Sequence, residues 1–266
     1  IAGASPAENV YYINGFNVTN IVNGVAYNQV PFEAIANIDI KKGGFGPEYG
    51  RALGGVVTVT TKRGTNEWKG GVSLSWEPDA GRGSSVYAEK NEAGNWELLN
   101  RPGSREQTTL NLYGGGPLIQ DKLYVFGLVS AGKFKSNVYG NTTQTETKND
   151  TPQYLMKVDW NINSDHTLEF TAFNDRSVDK VGNWDSTTPW KKPRGDFKGN
   201  DKYTYGGENY VAEWRGNFGD NFAVSALAGV GKYSRAASIG AATCPIVQDR
   251  RVAPTLILGC YTDAIV

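Results

Sequence analysis

GGFGPEYGRALGGVVTVTTKRGTN, residues 43–66, decides how the rest of the chain is read. Seven glycines interrupt one Glu, two Arg, one Lys and a β-branched run, Val56-Val57-Thr58-Val59-Thr60-Thr61. Three structures could use such a stretch: a phosphate-cradling loop, a bent hairpin, or the end of a larger domain. A dinucleotide-binding loop has to open a helix whose N-terminal amides meet the pyrophosphate. Here Pro47, Gly50, Gly54 and Gly55 lead into a strand-forming run, and no acidic residue closes a second strand. A Gly-rich hairpin explains the glycines but not the change of texture that follows them.

That change comes near residue 67. Before it, short apolar segments such as Val10-Tyr11-Tyr12-Ile13 and Ile35-Ala36-Asn37-Ile38-Asp39-Ile40 alternate with Asn/Gly turns. After it, the pattern has a period of two. Tyr154, Met156, Val158, Trp160 and Ile162 alternate with Leu155, Lys157, Asp159, Asn161 and Asn163, which predicts a strand with one apolar and one polar face. Ser164-Asp165-His166 turns the chain, and Leu168, Phe170 and Ala172 resume the pattern. A second such hairpin runs through Tyr210, Ala212 and Trp214, turns at Gly219-Asp220-Asn221, and continues from Phe222 to Val230.

Short connections at 117–122, 163–166 and 219–221 alternate with long polar ones at 77–105, 136–152 and 177–207. Strands of about ten residues joined in this way, with charges mid-strand on one face and aromatics on the other, point to an outer-membrane β-barrel. A soluble sandwich shares the alternation, so a secreted carbohydrate-binding domain stays open at this level. The composition agrees with a strand-rich chain: 33 glycines and 12% aromatics in 266 residues. Lys+Arg and Asp+Glu both number 27, which gives no global preference for nucleic acid. No apolar run is long enough for a transmembrane helix. The opening IAGASPAENV lacks the basic start and apolar run of a secretory leader, as expected of a piece of a longer chain.

Two segments, 31–40 (PFEAIANIDI) and 46–62 (GPEYGRALGGVVTVTTK), resemble the end of the plug domain of TonB-dependent outer-membrane transporters. The following GTNEWKG, residues 64–70, looks like that family's passage into its first barrel strand. The form GGFGPEYGRALGG is most similar to the Oar-like subgroup, and Asn14-Gly15 stands where the family often has Asp-Gly. The resemblance implies an all-β chain: the C-terminal part of a plug over 1–66, then the first strands of a transmembrane antiparallel barrel over 67–266. About seven of the family's 22 strands are expected here. It also implies substrate transport energised by the TonB complex of the inner membrane, in contact with outer-membrane lipid, with no enzyme activity and no cofactor. A passive porin or an adhesin-type barrel is the alternative, and the plug-like first 66 residues are what separate the two.

Several residues carry specific expectations. The resemblance implies charged plug–barrel contacts, so Glu48 and Arg51 of the plug are expected to gate against Glu169 and Glu213 of the wall, with Arg51 pairing to one of the latter. Trp184 and Trp190, in the long connection 177–207, are candidates to touch substrate. Cys244 and Cys260 are expected to form a disulfide in an oxidising compartment. His166 reads as a solvated turn residue rather than a base. Asp175, Asp179 and Asp185 fit no calcium-loop spacing, and no metal is expected. If strand 1 runs outward, connections 77–105, 136–152, 177–207 and 236–266 are extracellular and turns 163–166 and 219–221 periplasmic.

Overall fold

A computed structural model describes the chain except residues 1–2, 4, 21–27, 84–87, 100–101, 141–142, 186–193, 220, 241–245, 250–255 and 261–266. The β-branched run of the deciding stretch becomes the inner strand of a small N-terminal sheet. Strands β1 (Val10–Ile13), β2 (Phe16–Asn17), β3 (Ile35–Lys41) and β4 (Val56–Thr61) lie in the order β2-β1-β4-β3. β4 runs parallel to β1, with Val10 opposite Val56, and antiparallel to β3, so its backbone groups pair on both sides. Asn14 and Gly15 turn β1 into β2 with φ of 46° and 78°. Two consecutive positive φ values are what a tight primed hairpin turn requires, and Asn-Gly meets them at low cost.

The rest is one antiparallel meander. It comprises β5 (Lys69–Glu77), β8 (Ser104–Ile119), β9 (Leu123–Tyr139), β10 (Thr143–Asn149), β11 (Gln153–Asn161), β12 (His166–Asn174), β13 (Ser177–Asp185), β14 (Phe197–Gly206), β15 (Glu208–Phe218), β16 (Phe222–Gly231) and β17 (Ser234–Ile239). Two small hairpins, β6 (Ala88–Lys90) with β7 (Trp96–Leu99) and β18 (Ile246–Asp249) with β19 (Leu256–Cys260), stand apart from it. Pairing register joins several of the short strands end to end. Gln153 faces Ser130 while Asn149 faces Phe134, so β10 and β11 advance along β9 without a slip. The same holds for β12 with β13, β15 with β14, and β16 with β17. The result is seven continuous staves: β5, β8, β9, β10/11, β12/13, β14/15 and β16/17.

The two faces of this wall differ as the alternation predicts. Leu155, Lys157 and Asp159 are buried on the concave face, while Tyr154, Met156 and Trp160 are exposed on the convex one. At the tight-turn end His166 stacks on Trp214, ring centroids 5.6 Å apart, and Phe218 continues the row to Phe222 at 6.0 Å. His166 is thus part of an aromatic girdle. The polar segments 136–149 and 177–206 depart from the sequence expectation of long loops. Much of each is strand, extending the staves beyond the apolar band. Where water bathes both faces, a strand needs no apolar alternation, and the threonines at 143, 145 and 147 are good strand formers.

Candidate functional site

The N-terminal sheet sits in the concavity of the wall, and its contacts there form the site. An apolar cluster lies at the middle of the contact. Ile13, Val18 and Ala34 of the N-terminal unit pack with Phe126, Leu128, Leu155 and Phe173 of the wall, all nearly or fully buried. Phe16 lies over Gly229 and Gly231, where a side-chain Cβ would come within 2.7 and 3.0 Å of its ring. The sequence Gly-Val-Gly at 229–231 therefore makes room for one ring on the concave face.

Around this cluster the contact is polar, and each bond has a definite cause. Asn14, held in its left-handed turn, donates from Nδ2 to Thr61 Oγ1 at 2.8 Å and to Thr171 Oγ1 of β12 at 2.9 Å. Its Oδ1 accepts from the Thr61 backbone N–H at 2.9 Å, so a single amide ties β4, the turn and the wall. At the other flank Glu33 Oε1 accepts from Ser73 Oγ at 2.9 Å and from Asn111 Nδ2 at 2.6 Å. Burial works against the Glu33 charge, but its own backbone N–H, these two donors and the field of Lys62 outweigh it. They hold the carboxyl below its ordinary value of 4.5.

The third contact is the most enclosed. Asp175 lies where β12 passes into β13 and is only 8% exposed. Its Oδ1 accepts from Asn28 Nδ2 at 2.9 Å and from the Gly207 N–H at 2.8 Å, and its Oδ2 accepts from the Gln29 N–H at 2.8 Å. Among the described residues no Lys or Arg pairs with it. Asn28 also donates to the Lys232 carbonyl at 3.3 Å, so residues 28–29 are pinned across two staves. Gly206, at φ +69°, makes this possible, since a Cβ there would stand 2.6 Å from Asp175 Oδ1.

The passage from β4 into β5 is fixed as firmly. Gly64 lies so close to the wall that a Cβ would meet the carbonyls of Val125 at 2.6 Å and Gly116 at 2.8 Å. Asn66 exchanges two hydrogen bonds with Asp121 in the tight turn between β8 and β9, at 2.5 and 2.9 Å.

A small mixed sheet tied into the concavity of an up-and-down wall is a distinctive arrangement, and the comparisons bear on it directly. Residues 1–56 match the family model of the TonB-dependent Receptor Plug Domain. Residues 1–56 thus carry a plug of the TonB-dependent receptor type, and the sheet after them has the fold of the first strands of an outer-membrane β-barrel. The chain is 27% identical over 201 residues to the TonB-dependent transporter Oar of Myxococcus xanthus, a match covering 64% of this chain and 18% of that protein. The outer membrane transporter YddB of Escherichia coli superimposes with a TM-score of 0.57 at 17% identity, over 89% of this chain and 33% of that one. The siderophore receptor PirA of Acinetobacter baumannii is a looser match, with a TM-score of 0.47 at 19% identity over 82% and 31%. The chain thus spans about a fifth to a third of the length of these receptors. The plug match and the likeness to Oar and YddB place this segment in the bacterial outer membrane.

The charged gate expected from the sequence is built differently. Glu169 pairs with Lys157 at 2.8 Å, and Lys157 also reaches Asp159 at 3.8 Å. Glu213 takes both arms of Arg215, at 2.8 and 2.7 Å, and accepts from Ser225 at 3.0 Å. Both wall carboxylates are therefore satisfied by wall cations two residues away or on the next stave. Arg51 and Glu48 lie in the exposed part of the plug and form no ion pair with them. Arg51 itself has φ +69°. Tyr49 organises that stretch, accepting from Lys41 Nζ at 3.0 Å and meeting Tyr12 edge-on at 5.5 Å. Of the exposed glycines in the deciding stretch, Gly43, Gly44 and Gly50 have nothing within 4 Å of a would-be Cβ, whereas Gly64 approaches the wall.

Trp184 lies at the open end of the wall on the convex face, in register with Gln144. Its ring packs on Phe197 at 5.5 Å and under the Arg194 guanidinium at 4.3 Å, so it holds its own hairpin together. Asp179 accepts from Asn149 at 2.7 Å and Asp185 pairs with Lys198 at 2.7 Å, and no metal-holding group occurs among the described residues. Trp190 and Cys244 lie outside the described residues, and of Cys260 only its place at the end of β19 is described.

Proposed function

We propose that this receptor carries out TonB-dependent active transport of a solute across the bacterial outer membrane, its plug closing the barrel until it is pulled. The bonding pattern at the plug–wall contact carries the reading. The ion pairs of the concave face are made within the wall. Among the described residues no ion pair spans plug and wall; an apolar cluster and hydrogen bonds, chief among them those at Asn14, Glu33 and Asp175, do. Water can replace such bonds one at a time, so a seated plug need not break a charged lock to move. A passive porin has no use for a tied insert, and nothing at the contact favours one.

We place the plug–barrel boundary at residues 66/67 and the tight-turn end in the periplasm, so that β5 runs outward. The solute would meet the concave face beyond the plug. A polar recess of about 390 Å³ lies there, lined by Arg105, Gln107, Phe134, Asn149, Gln153 and Asp179. Its solute is not assigned.

Two measurements on the full-length receptor test the reading. The purified protein should bind the periplasmic domain of TonB, and cells expressing it should stay closed to large antibiotics. Absence of TonB binding together with free antibiotic entry would establish an open porin instead. Cysteine labelling of intact cells should spare a probe at Ser164, and labelling there from outside would reverse the orientation.

A further inference from the structure

The convex face carries a row of lysines at the open end. Lys135 of β9 faces Lys148 of β10, Lys148 faces Lys180 of β13, and Lys180 faces Lys202 of β14. All four share the face of Tyr154 and Met156, because register is continuous along each stave. With neighbouring strands about 4.8 Å apart, four ammonium groups occupy a line about 14 Å wide. Like charges directly opposite each other destabilise a sheet, so such a row calls for an anion.

The wall supplies too little negative charge. Glu146, its side chain only 10% exposed, lies beneath Lys148 and Lys135, with Lys135 Nζ 3.7 Å away. Arg194 also reaches it, at 2.8 Å. One carboxylate thus has three cations on it. Lys180 pairs with Asp150 at 2.9 Å. Lys202 is exposed and has no carboxylate partner among the described residues. Even with Glu106 opposite Lys135, four lysines and Arg194 stand against three carboxylates, and Lys133 adds a further exposed cation one step below. The side chains of Lys135, Lys148 and Lys180 keep 52–61% exposure despite their contacts, so their ammonium groups, like that of the exposed Lys202, remain open to a ligand.

The position of the row selects the ligand. On β9, Lys133 and Lys135 follow directly after the outward-facing Val129 and Ala131. On the next stave Lys148 lies six residues beyond Tyr154, about 20 Å along the strand and less once strand tilt is allowed for. That is the headgroup side of the apolar band, facing away from the barrel interior. We propose that the row Lys135-Lys148-Lys180-Lys202 binds the phosphate groups of the phosphorylated glycolipid of the outer leaflet, and so fastens the receptor in its membrane. The proposal rests on the outer-membrane location and the orientation of the wall, and is independent of transport.

The test uses full-length receptor extracted from outer membranes in non-ionic detergent, with native mass spectrometry counting bound glycolipid. The triple variant K148Q/K180Q/K202Q should retain on the order of a hundredfold less, from about fivefold per lysine near an anionic surface. The corresponding Lys→Arg variant should retain as much as the unaltered protein, and salt near 1 M should release the lipid from both. Resistance of the barrel to detergent unfolding verifies that each variant is folded. Undiminished retention by the Gln variant overturns the proposal. So does equal retention of the same glycolipid stripped of its phosphates, which would make the contact an apolar one.

Discussion

Replacing Asp175 by Ala probes the most enclosed contact between plug and wall. The carboxylate is 8% exposed and accepts three N–H groups, two from the plug and one from Gly207 of the wall. Hydrogen bonds to a charged group contribute roughly 1.5–3 kcal/mol each, and a buried donor left unpaired costs about 1–3 kcal/mol. Asn28 retains its 3.3 Å bond to the Lys232 carbonyl, and water can enter the space vacated, so the plug should not lose the full sum of both bonds. A loss of about 2–4 kcal/mol at residues 28–29 is expected, which corresponds to a 30- to 1,000-fold fall in protection of the Gln29 amide from hydrogen exchange. Protection of the β11–β12 ladder, where Leu155 faces Phe173, should change far less. Combining the substitution with Asn28→Ala should give less than the sum of the two, because they share a bond. Unchanged Gln29 protection in Asp175→Ala would refute the claim that this carboxylate seats the plug. An equal loss across the whole wall would also refute it, by making Asp175 a general folding residue.

Three smaller perturbations act elsewhere on the same contact. Thr171→Val removes an acceptor of Asn14 with little change of shape and should cost about 1 kcal/mol of plug docking, which Thr171→Ser should not, by exchange at the Thr61 amide. Gly64→Ala places a Cβ 2.6 Å from the Val125 carbonyl, a backbone group that cannot turn aside, and should cost about 1–3 kcal/mol, read as faster exchange at Lys62. Because the Glu33 carboxyl is held below its ordinary 4.5, its contribution to docking is complete above that pH and is lost as pH falls through the lower folded value. Plug exchange should therefore accelerate below about pH 4.5 in the unaltered receptor, while Glu33→Gln should exchange faster at neutral pH and lack that part of the acid response.

The wall was legible wherever lipid and water face opposite sides of a strand. Residues 154–162 and 210–218 alternate because Trp160 and Trp214 point outward while Asp159 and Glu213 point inward, and a period of two registers that difference directly. The staves beyond the lipid band lack this contrast. Thr143 to Asn149 is polar at every position, yet its threonines at alternate sites carried a strand signal that outweighs the polarity. The plug was legible through its Gly-rich stretch and the β-branched run after it, which forms the inner strand β4.

The site was harder to read, and the misplaced salt bridge explains why. Choosing Arg51 as the partner of Glu169 or Glu213 assumed that those carboxylates were free. On a strand, residues two apart share a face, so Lys157 with Asp159 and Glu213 with Arg215 were already neighbours by spacing alone. Register then brings Asp159, Glu169 and Glu213 into one row, where local cations are needed to hold three carboxylates together. Lys157 and Arg215 thus already hold the three carboxylates in ion pairs within the wall, and Arg51 takes part in none of them. Asp175 escaped notice for the opposite reason. Its partners at Gln29 and Gly207 are backbone N–H groups, which every residue but proline possesses, so no residue type announces them. A contact that must release under a pull gains from donors of this kind. When the plug moves away, a backbone N–H and a carboxylate can each turn to water, whereas a separated ion pair would leave two charges to be re-solvated inside the barrel. The contact best suited to gating is therefore also the one that side-chain chemistry in the sequence conceals.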